Sequence, residues 1–478
     1  MINNSIWLKG VKTKANKKLS EDIDTDILII GGGITGLSTA YFLMNKDREI
    51  TLIDKGKIGY GATSYSTGKV TYLQDTLIKG NSEKEDLYLA SQIDAVNMIK
   101  NIIIENNIKC NYESNSSYLY ATNKKEIKNI KKIENILKRN NIEYKIKNSD
   151  LLYNSIYSIK VDNTATINPA KYLLGLKELL NNNIKIYENS IAEDIDYKDS
   201  KFVVKVNNNC IRCNVLVVAT HYPFLVSLGL IPFKTHVEKS YLTAFNVEKN
   251  KKLNAIAQSG NNSIRYYSDD KDYMIYCSCS DKLGKNIDNA KKIGDLSWEV
   301  NSKYNTKMKY IWNNCDIMAT DFIPLAGKIE KNLYIATGYS TWGITNGSLS
   351  AKVIADNILG ITNKYTELFN PTRTSNIINL VVSNLSVGKT YILSKLIKNY
   401  SFYTNVSVYT KDGIRYGKYI DDKNVEHIVY NKCPHMKCNL IFNSVDKTWD
   451  CPCHSSRFDI DGNIVHGPSH YSIKVEKN

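Results

Sequence analysis

The sequence predicts two unlike units in one chain: a large α/β domain with an inserted antiparallel sheet, then a small all-β domain. Three observations predict it. "DILIIGGGITGLSTAYFLM" reads as a buried strand, a tight glycine turn and a helix. Residues 235–280 alternate and are rich in Tyr, Val and Ser, as in an antiparallel sheet. From residue 406 onward, short strands are broken by "KDG", "DDKN" and "DIDGN". A chain of 478 residues suits two or three domains and a core able to fold unaided.

The elements follow in order. Residues 1–25 are polar and are expected to wrap the surface. After the glycine turn and its helix, "REITLIDKG" is a second strand. Helical patterns span about 84–106 and 124–139. "NPAKYLLGLKELLNNN" is an amphipathic helix with Pro169 in its first turn, and "IKIYENS" is the strand after it. "CIRCNVLVVATHYPF" is a strand ending at a small-residue turn. "KNLYIATGYSTWGITNGSLSAKVIADNIL" is strand, Gly-rich turn and helix. The expected boundaries are a lead at 1–25, the α/β domain at 26–364, a linker at 365–405 and the all-β domain at 406–478. No internal repeat is present.

The formal charge of +15 does not point to nucleic acid. Lysines are scattered, and a diffuse excess of charge acts on solubility and non-specific association. Peripheral contact with an anionic membrane surface stays open. No apolar run is long enough to cross a bilayer, and the first residues lack a signal-peptide core. The expected location is cytoplasmic. Ten cysteines in that compartment favour thiols or metal ligands over a disulfide scaffold. Cys277-Ser-Cys279 has no partner pair at metal-ligand spacing and reads as alternate positions on a strand.

Gly31, Gly33 and Gly36 form G-x-G-x-x-G between strand and helix. The first glycine lets the chain turn sharply. The second admits a pyrophosphate close to backbone, and the third lets helix pack on strand. Asp54 ends the next strand, 23 residues after Gly31, where an acid meets a ribose hydroxyl. "KGKIGYGATSYSTGKVTY" adds a second loop suited to an extended cofactor, and "VLVVATHYPF" and "LYIATGYSTWGIT" bring further small-residue turns to the same end of the sheet. A cofactor touched at four places favours FAD over NAD.

These pieces resemble the FAD-dependent oxidoreductases of the D-amino-acid oxidase, glycine oxidase and sarcosine oxidase superfamily. The resemblance spans residues 26–360 and rests on "DILIIGGGITGLSTAYFL", Asp54, "GATS", "VVAT", "TDFIPLAGKI" and "GYSTWGITNGSLSAKVIAD". It implies a Rossmann-like FAD-binding domain with an inserted substrate sheet. It also implies FAD contacts from Ala62, Thr63, Ser64, Ala219, Thr220 and Gly338. Trp342, Gly343, Ile344 and Thr345 would lie near the flavin ring and ribityl chain, and Ile191 near the adenine.

The last domain carries "CPHMKCNLIFNSVDKTWDCPCH". Cys433-x-His435 is followed, after 15 intervening residues, by Cys451-x-x-His454. Zinc is the default for two cysteines and two histidines. The C-x-H spacing instead suits a [2Fe–2S] cluster with two thiolates on one iron and two imidazoles on the other. The segment resembles a Rieske domain. That resemblance implies Cys433, His435, Cys451 and His454 as ligands and Cys438–Cys453 as a disulfide between the two loops. It also makes Gly467-Pro468 the loop covering the cluster. Met436-Lys437 stands where Leu-Gly is usual, Ser455 where Gly is usual, and Phe458 where high-potential members carry Tyr; Ser456 keeps the hydroxyl that bonds a cluster sulfur. Fewer hydrogen bonds to sulfur imply a potential below the respiratory members, inside the range of roughly −150 to +300 mV.

Arg265 in "NSIRYY" is the candidate for holding a substrate carboxylate, because a planar bidentate donor suits that group. An ordinary surface arginine on a strand is its competing reading. Tyr241 and Tyr267 are further candidates among 33 tyrosines. His221 follows the "VVAT" strand end and is placed either to approach the flavin or to serve the loop. "VGKT" at 387–390 is half of a phosphate loop and is rejected, since Ser383 stands where its first Gly belongs. The whole arrangement resembles a bacterial family of FAD-dependent oxidoreductases with a C-terminal Rieske domain. It implies a relay from a small-molecule donor of the amine or amino-acid class, through FAD and the cluster, to an unidentified acceptor. The alternative is a redox-sensing or electron-transfer protein without a small organic substrate.

Overall fold

The computed structural model describes residues 2–78, 84–147, 155–224, 231–248, 252–260, 262–282, 289–373, 400–402, 405–469 and 471–475. "VGKT" and most of the expected linker lie outside these residues. Residues 365–373 are described, and they pack on the α/β domain through buried Tyr365, Leu368 and Phe369.

Strand Ile23–Ile30 is buried along its second half and sits centrally in a sheet. It pairs in parallel with Ile50–Ile53 on one side and Asn209–Val218 on the other. Leu333–Thr337 and Lys185–Tyr187 extend the parallel set. Helix Ile34–Leu43 starts at the turn after the first strand, and Gly343–Leu359 packs against it from the other end of the domain. Strands buried on both faces need apolar runs, which is how "DILII" and "VLVV" read.

The second sheet is antiparallel for most of its width. Its order runs Ile2–Asn3, Tyr310–Ala319, Thr235–Asn246, Asp272–Lys282, Ser263–Ser268, Asn254–Ala257, Glu113–Ala121, Tyr157–Thr166, Lys69–Val70. The alternating stretch 235–280 therefore forms strands as expected, with Cys277 and Cys279 on Asp272–Lys282. The helical patterns resolve as Glu85–Glu105, Lys124–Arg139 and Pro169–Leu180, the last capped by the Asn168 side chain.

The N-terminal lead departs from the surface wrap expected of it. Ile2–Asn3 adds an edge strand parallel to Tyr310–Ala319. Ile6 and Trp7 enter the core, and the Trp7 indole N–H donates to Ser66 O at 2.7 Å. Ile6, Trp7 and Leu19 anchor the otherwise polar segment, a signal that composition averages away.

Strand Tyr400–Phe402 begins the all-β domain, which has two four-stranded sheets. Trp449 and Phe458 fill its core. No helix among the described residues is long and apolar enough to cross a membrane.

Candidate functional site

The glycine turn builds one side of a deep cleft. Gly31 has φ +109°, and a Cβ there would sit 2.4 Å from Ala219 O. A Cβ on Gly36 would sit 1.8 Å from Gly31 O. Both positions must be glycine for strand and helix to meet. Helix Ile34–Leu43 starts at the cleft with Gly33 as its N-cap; Ile34 N–H donates to the Thr63 hydroxyl at 3.3 Å, and Gly33, Ile34 and Thr35 line the cleft at the helix end that favours an anion. Asp54 lines the cleft; its carboxylate accepts from Gly32 N at 2.7 Å and Gly56 N at 2.8 Å.

The expected flavin contacts divide in two. Gly31, Gly33, Asp54, Ala62, Thr63, Ile191, Ala219, Thr220, Gly343 and Ile344 line the cleft. Gly36, Ser64, Gly338, Trp342 and Thr345 do not. The Trp342 indole instead donates to Asp75 at 3.1 Å, and Thr345 Oγ1 accepts from Gln74 at 3.2 Å, in a buried polar network behind the helix start. Tertiary partners turned those two side chains inward, so the motif located the segment and not each side chain.

Arg265 also lies elsewhere than expected. It does not line the cleft. It is buried, donates to Thr67 O at 2.8 Å and Ile167 O at 2.9 Å, and stacks its guanidinium 4.7 Å from the Trp7 ring. Burial lowers its pKa to about 9. Those contacts hold two loops and the N-terminal lead together; carboxylate recognition is not among them. Tyr267 belongs to the same aromatic cluster, and Tyr241 faces the C-terminal domain through Asn443 at 3.4 Å.

The first lining residues that sequence reasoning missed come from strand Tyr310–Ala319: Asn314 and Asp316. Glu238 is the antiparallel partner of Asp316 on the neighbouring strand. Burial, and then the Glu238 charge, push the Asp316 carboxyl up to about 7. More come from the C-terminal domain itself. Ser455, Gly467, Pro468 and Ser469 complete the cleft wall, and Lys55 Nζ donates across to Gly467 O at 2.9 Å. A wall shared by segments more than 400 residues apart leaves no local pattern to read.

In that domain Cys433, His435, Cys451 and His454 come together on two loops. The His435 and His454 rings lie 5.1 Å apart at 89°. Burial, and then His435, lower the His454 pKa to about 3, which keeps it in the neutral ligating form. Its Nδ1 is buried with no hydrogen-bond partner among the described residues. The Cys433 and Cys451 thiols are adjacent and hydrogen-bonded to each other. Cys433 takes the lower pKa, because Cys451, the His435 N–H, the Ser456 hydroxyl and the Met436 N–H all direct hydrogens at its sulfur. The His454 and Cys453 N–H groups serve Cys451 in the same way. Two adjacent free thiols, two neutral imidazoles and convergent N–H donors fit a mixed Cys₂His₂ iron–sulfur centre.

Cys438 and Cys453 form a disulfide that ties the two loops together. Their sulfurs, with that of Cys451, fall within 4.8 Å of one another, but two of the three are bonded together and do not form a metal trio. Lys437 and Ser455, which replace the usual glycines, have φ +57° and +60°, so the left-handed turns persist without glycine. Gly467 keeps its glycine at φ +103°; a Cβ there would sit 2.4 Å from Ser456 Cα.

The two domains meet over buried charge. Lys239 Nζ lies 2.9 Å from Asp450 and 3.7 Å from Asp446. Arg457 lies 2.9 Å from Asp446 and 3.2 Å from Asp450, and donates to Asn313 at 2.9 Å. Burial alone would raise the Asp450 pKa; Lys239 and Arg457 more than offset it and hold the carboxyl below the usual range. Tyr222 closes the contact beside the cleft. It is 3% exposed, lines the cleft, and sets its ring 5.3 Å from His454 and 6.4 Å from His435.

A nucleotide cleft under an antiparallel sheet, walled by a cysteine–histidine domain, defines an oxidoreductase with two redox centres. Residues 26–357 match the family of FAD dependent oxidoreductases, and the chain belongs to it; residues 402–476 match the Rieske [2Fe-2S] domain. The first domain binds FAD and the second a [2Fe–2S] cluster. The chain is 27% identical to a Bacillus subtilis protein described as a Rieske 2Fe-2S iron-sulfur protein, YhfW, over 98% of this chain and 96% of the relative. It is 21% identical to the gamma-glutamylputrescine oxidoreductase of Escherichia coli, over 74% of this chain and 88% of that one. The glycine oxidase of Geobacillus kaustophilus shares the fold at TM-score 0.64 and 15% identity, covering 74% of this chain and 100% of its own.

Proposed function

We propose that this enzyme takes electrons from a small organic donor of the amine or amino-acid class and passes them, through FAD and the Rieske cluster, to an external acceptor. The observation that carries this reading is Tyr222, one side chain that lines the flavin cleft and packs on both histidines. Cys433, His435, Cys451 and His454 hold the cluster. The residues lining the cleft would hold FAD, with the start of helix Ile34–Leu43 available to its pyrophosphate and Gly343–Ile344 to its ring.

FAD supplies two-electron hydride acceptance and the cluster supplies one-electron transfer. The protein's own part is to fix the distance between the two sites. The ion pairs of Lys239 and Arg457 seat the C-terminal domain on the antiparallel sheet. The loop Ala219–Tyr222 spans from flavin cleft to cluster loops. Ser455, Gly467, Pro468 and Ser469 shut the cleft side that the α/β domain leaves open, which limits water there.

Relatives and fold neighbours named as acting on gamma-glutamylputrescine, glycine and proline support a C–N donor. The test is anaerobic addition of a panel of amines and amino acids to the purified holoenzyme. Flavin bleaching is followed by absorbance and the cluster by electron paramagnetic resonance. One compound giving both signals identifies the donor class. If dithionite gives both signals and no organic donor gives either, the dehydrogenase reading fails.

A further inference from the structure

Electron exit from the cluster faces a geometric problem. Both histidine rings point at Tyr222, and His454 is 4% exposed. His435 is only partly buried, but both its ring nitrogens are covered, so that tip offers an outside acceptor little open imidazole. The first cluster loop does reach the surface elsewhere. Pro434, between Cys433 and His435, and Lys437 form one wall of a groove whose other walls include Ile414, Arg415, Lys432 and Tyr471. Three basic residues and no acidic residue line it. Lys432 and Lys437 are exposed and make no ion pair among the described residues. Ile414 and Tyr471 are 44% and 59% exposed and lie in the same groove.

Resting on the relay proposed above, we infer that this groove is where an acidic one-electron carrier protein docks to collect electrons from the cluster. Exposed lysines beside exposed apolar side chains suit a macromolecule with a negatively charged face, because such charges steer encounter and set orientation. Lys432 and Lys437 converge here beside a cluster loop. In the step, one ferrous ion of the reduced cluster becomes ferric and the carrier's metal ion gains one electron. No bond forms or breaks.

The test uses the full-length holoenzyme, reduced with dithionite and desalted anaerobically, so that no organic donor is needed. It is mixed in a stopped-flow instrument with plastocyanin as the acidic acceptor or cytochrome c as the basic one. The wild-type protein is expected to reduce plastocyanin quickly and to slow as salt rises. The Lys432→Glu, Lys437→Glu double variant should lose roughly tenfold in that rate, and its cytochrome c rate should hold or rise. A plastocyanin rate within about twofold of wild type overturns the proposal. So does an equal loss with both acceptors, which would report a changed cluster and not a docking site. If the double variant does not assemble its cluster, Lys432→Gln gives a smaller loss in the same direction or sinks the idea. Failure of the donor panel removes the relay upstream and leaves this measurement intact.

Discussion

The ring of Tyr222 lies 5.3 Å from the ring of His454, across the boundary between the flavin-binding and cluster-binding domains. Tyr222 is also packed against Val237, Cys315 and Ile317 of the antiparallel sheet. Replacing it with Leu keeps apolar volume and removes the ring contact. Reduction of the cluster is expected to slow more than the preceding reduction of the flavin; rapid-freeze paramagnetic resonance separates the two. Tyr222→Ala leaves a cavity and should cost about 3 kcal/mol of stability, read by thermal unfolding.

The domain contact depends on a balanced charge cluster. Lys239→Met strands Asp450 and Asp446 beside Arg457 alone, and breaking such a buried pair costs about 3–5 kcal/mol. Limited proteolysis should then release the C-terminal domain. Asp450 has a folded-state pKa below its ordinary 3.8. Its stabilisation is therefore present above about pH 4 and is lost as pH falls through the depressed value. Acid treatment should loosen the variant at a higher pH than the wild type.

Asp316 has the opposite sign. Its folded pKa is about 7 against an ordinary 3.8. The folded state keeps a proton that the unfolded chain loses, so stability falls as pH rises from about 4 to about 7 and levels off beyond. Asp316→Asn should flatten that slope in unfolding midpoints taken across the window. An unchanged slope would place the titration on another group.

The cluster potential follows from hydrogen bonds to sulfur. The Ser456 hydroxyl is aimed at Cys433, while buried Phe458 offers none. Ser456→Ala should lower the midpoint by roughly 60 mV, the one-electron equivalent of about 1.4 kcal/mol. Phe458→Tyr should raise it if the new hydroxyl reaches a sulfur. A redox titration monitored by paramagnetic resonance reads both.

Sequence by itself determined the local chemistry. The glycine turn with Asp54, and the paired loops with Cys433, His435, Cys451 and His454, are short motifs whose residues must sit at fixed spacing for backbone reasons. The Cys438–Cys453 disulfide was only implied by the resemblance of those loops to a Rieske domain, and the structure forms it. Tertiary structure decided what no local pattern encodes. It turned Trp342 and Thr345 away from the cleft and gave Arg265 to backbone carbonyls. It also brought Asp316, Tyr222 and Pro468 to one wall. Those placements depend on which strand faces pair and which buried groups find partners, and these are long-range competitions that spacing along the chain does not record.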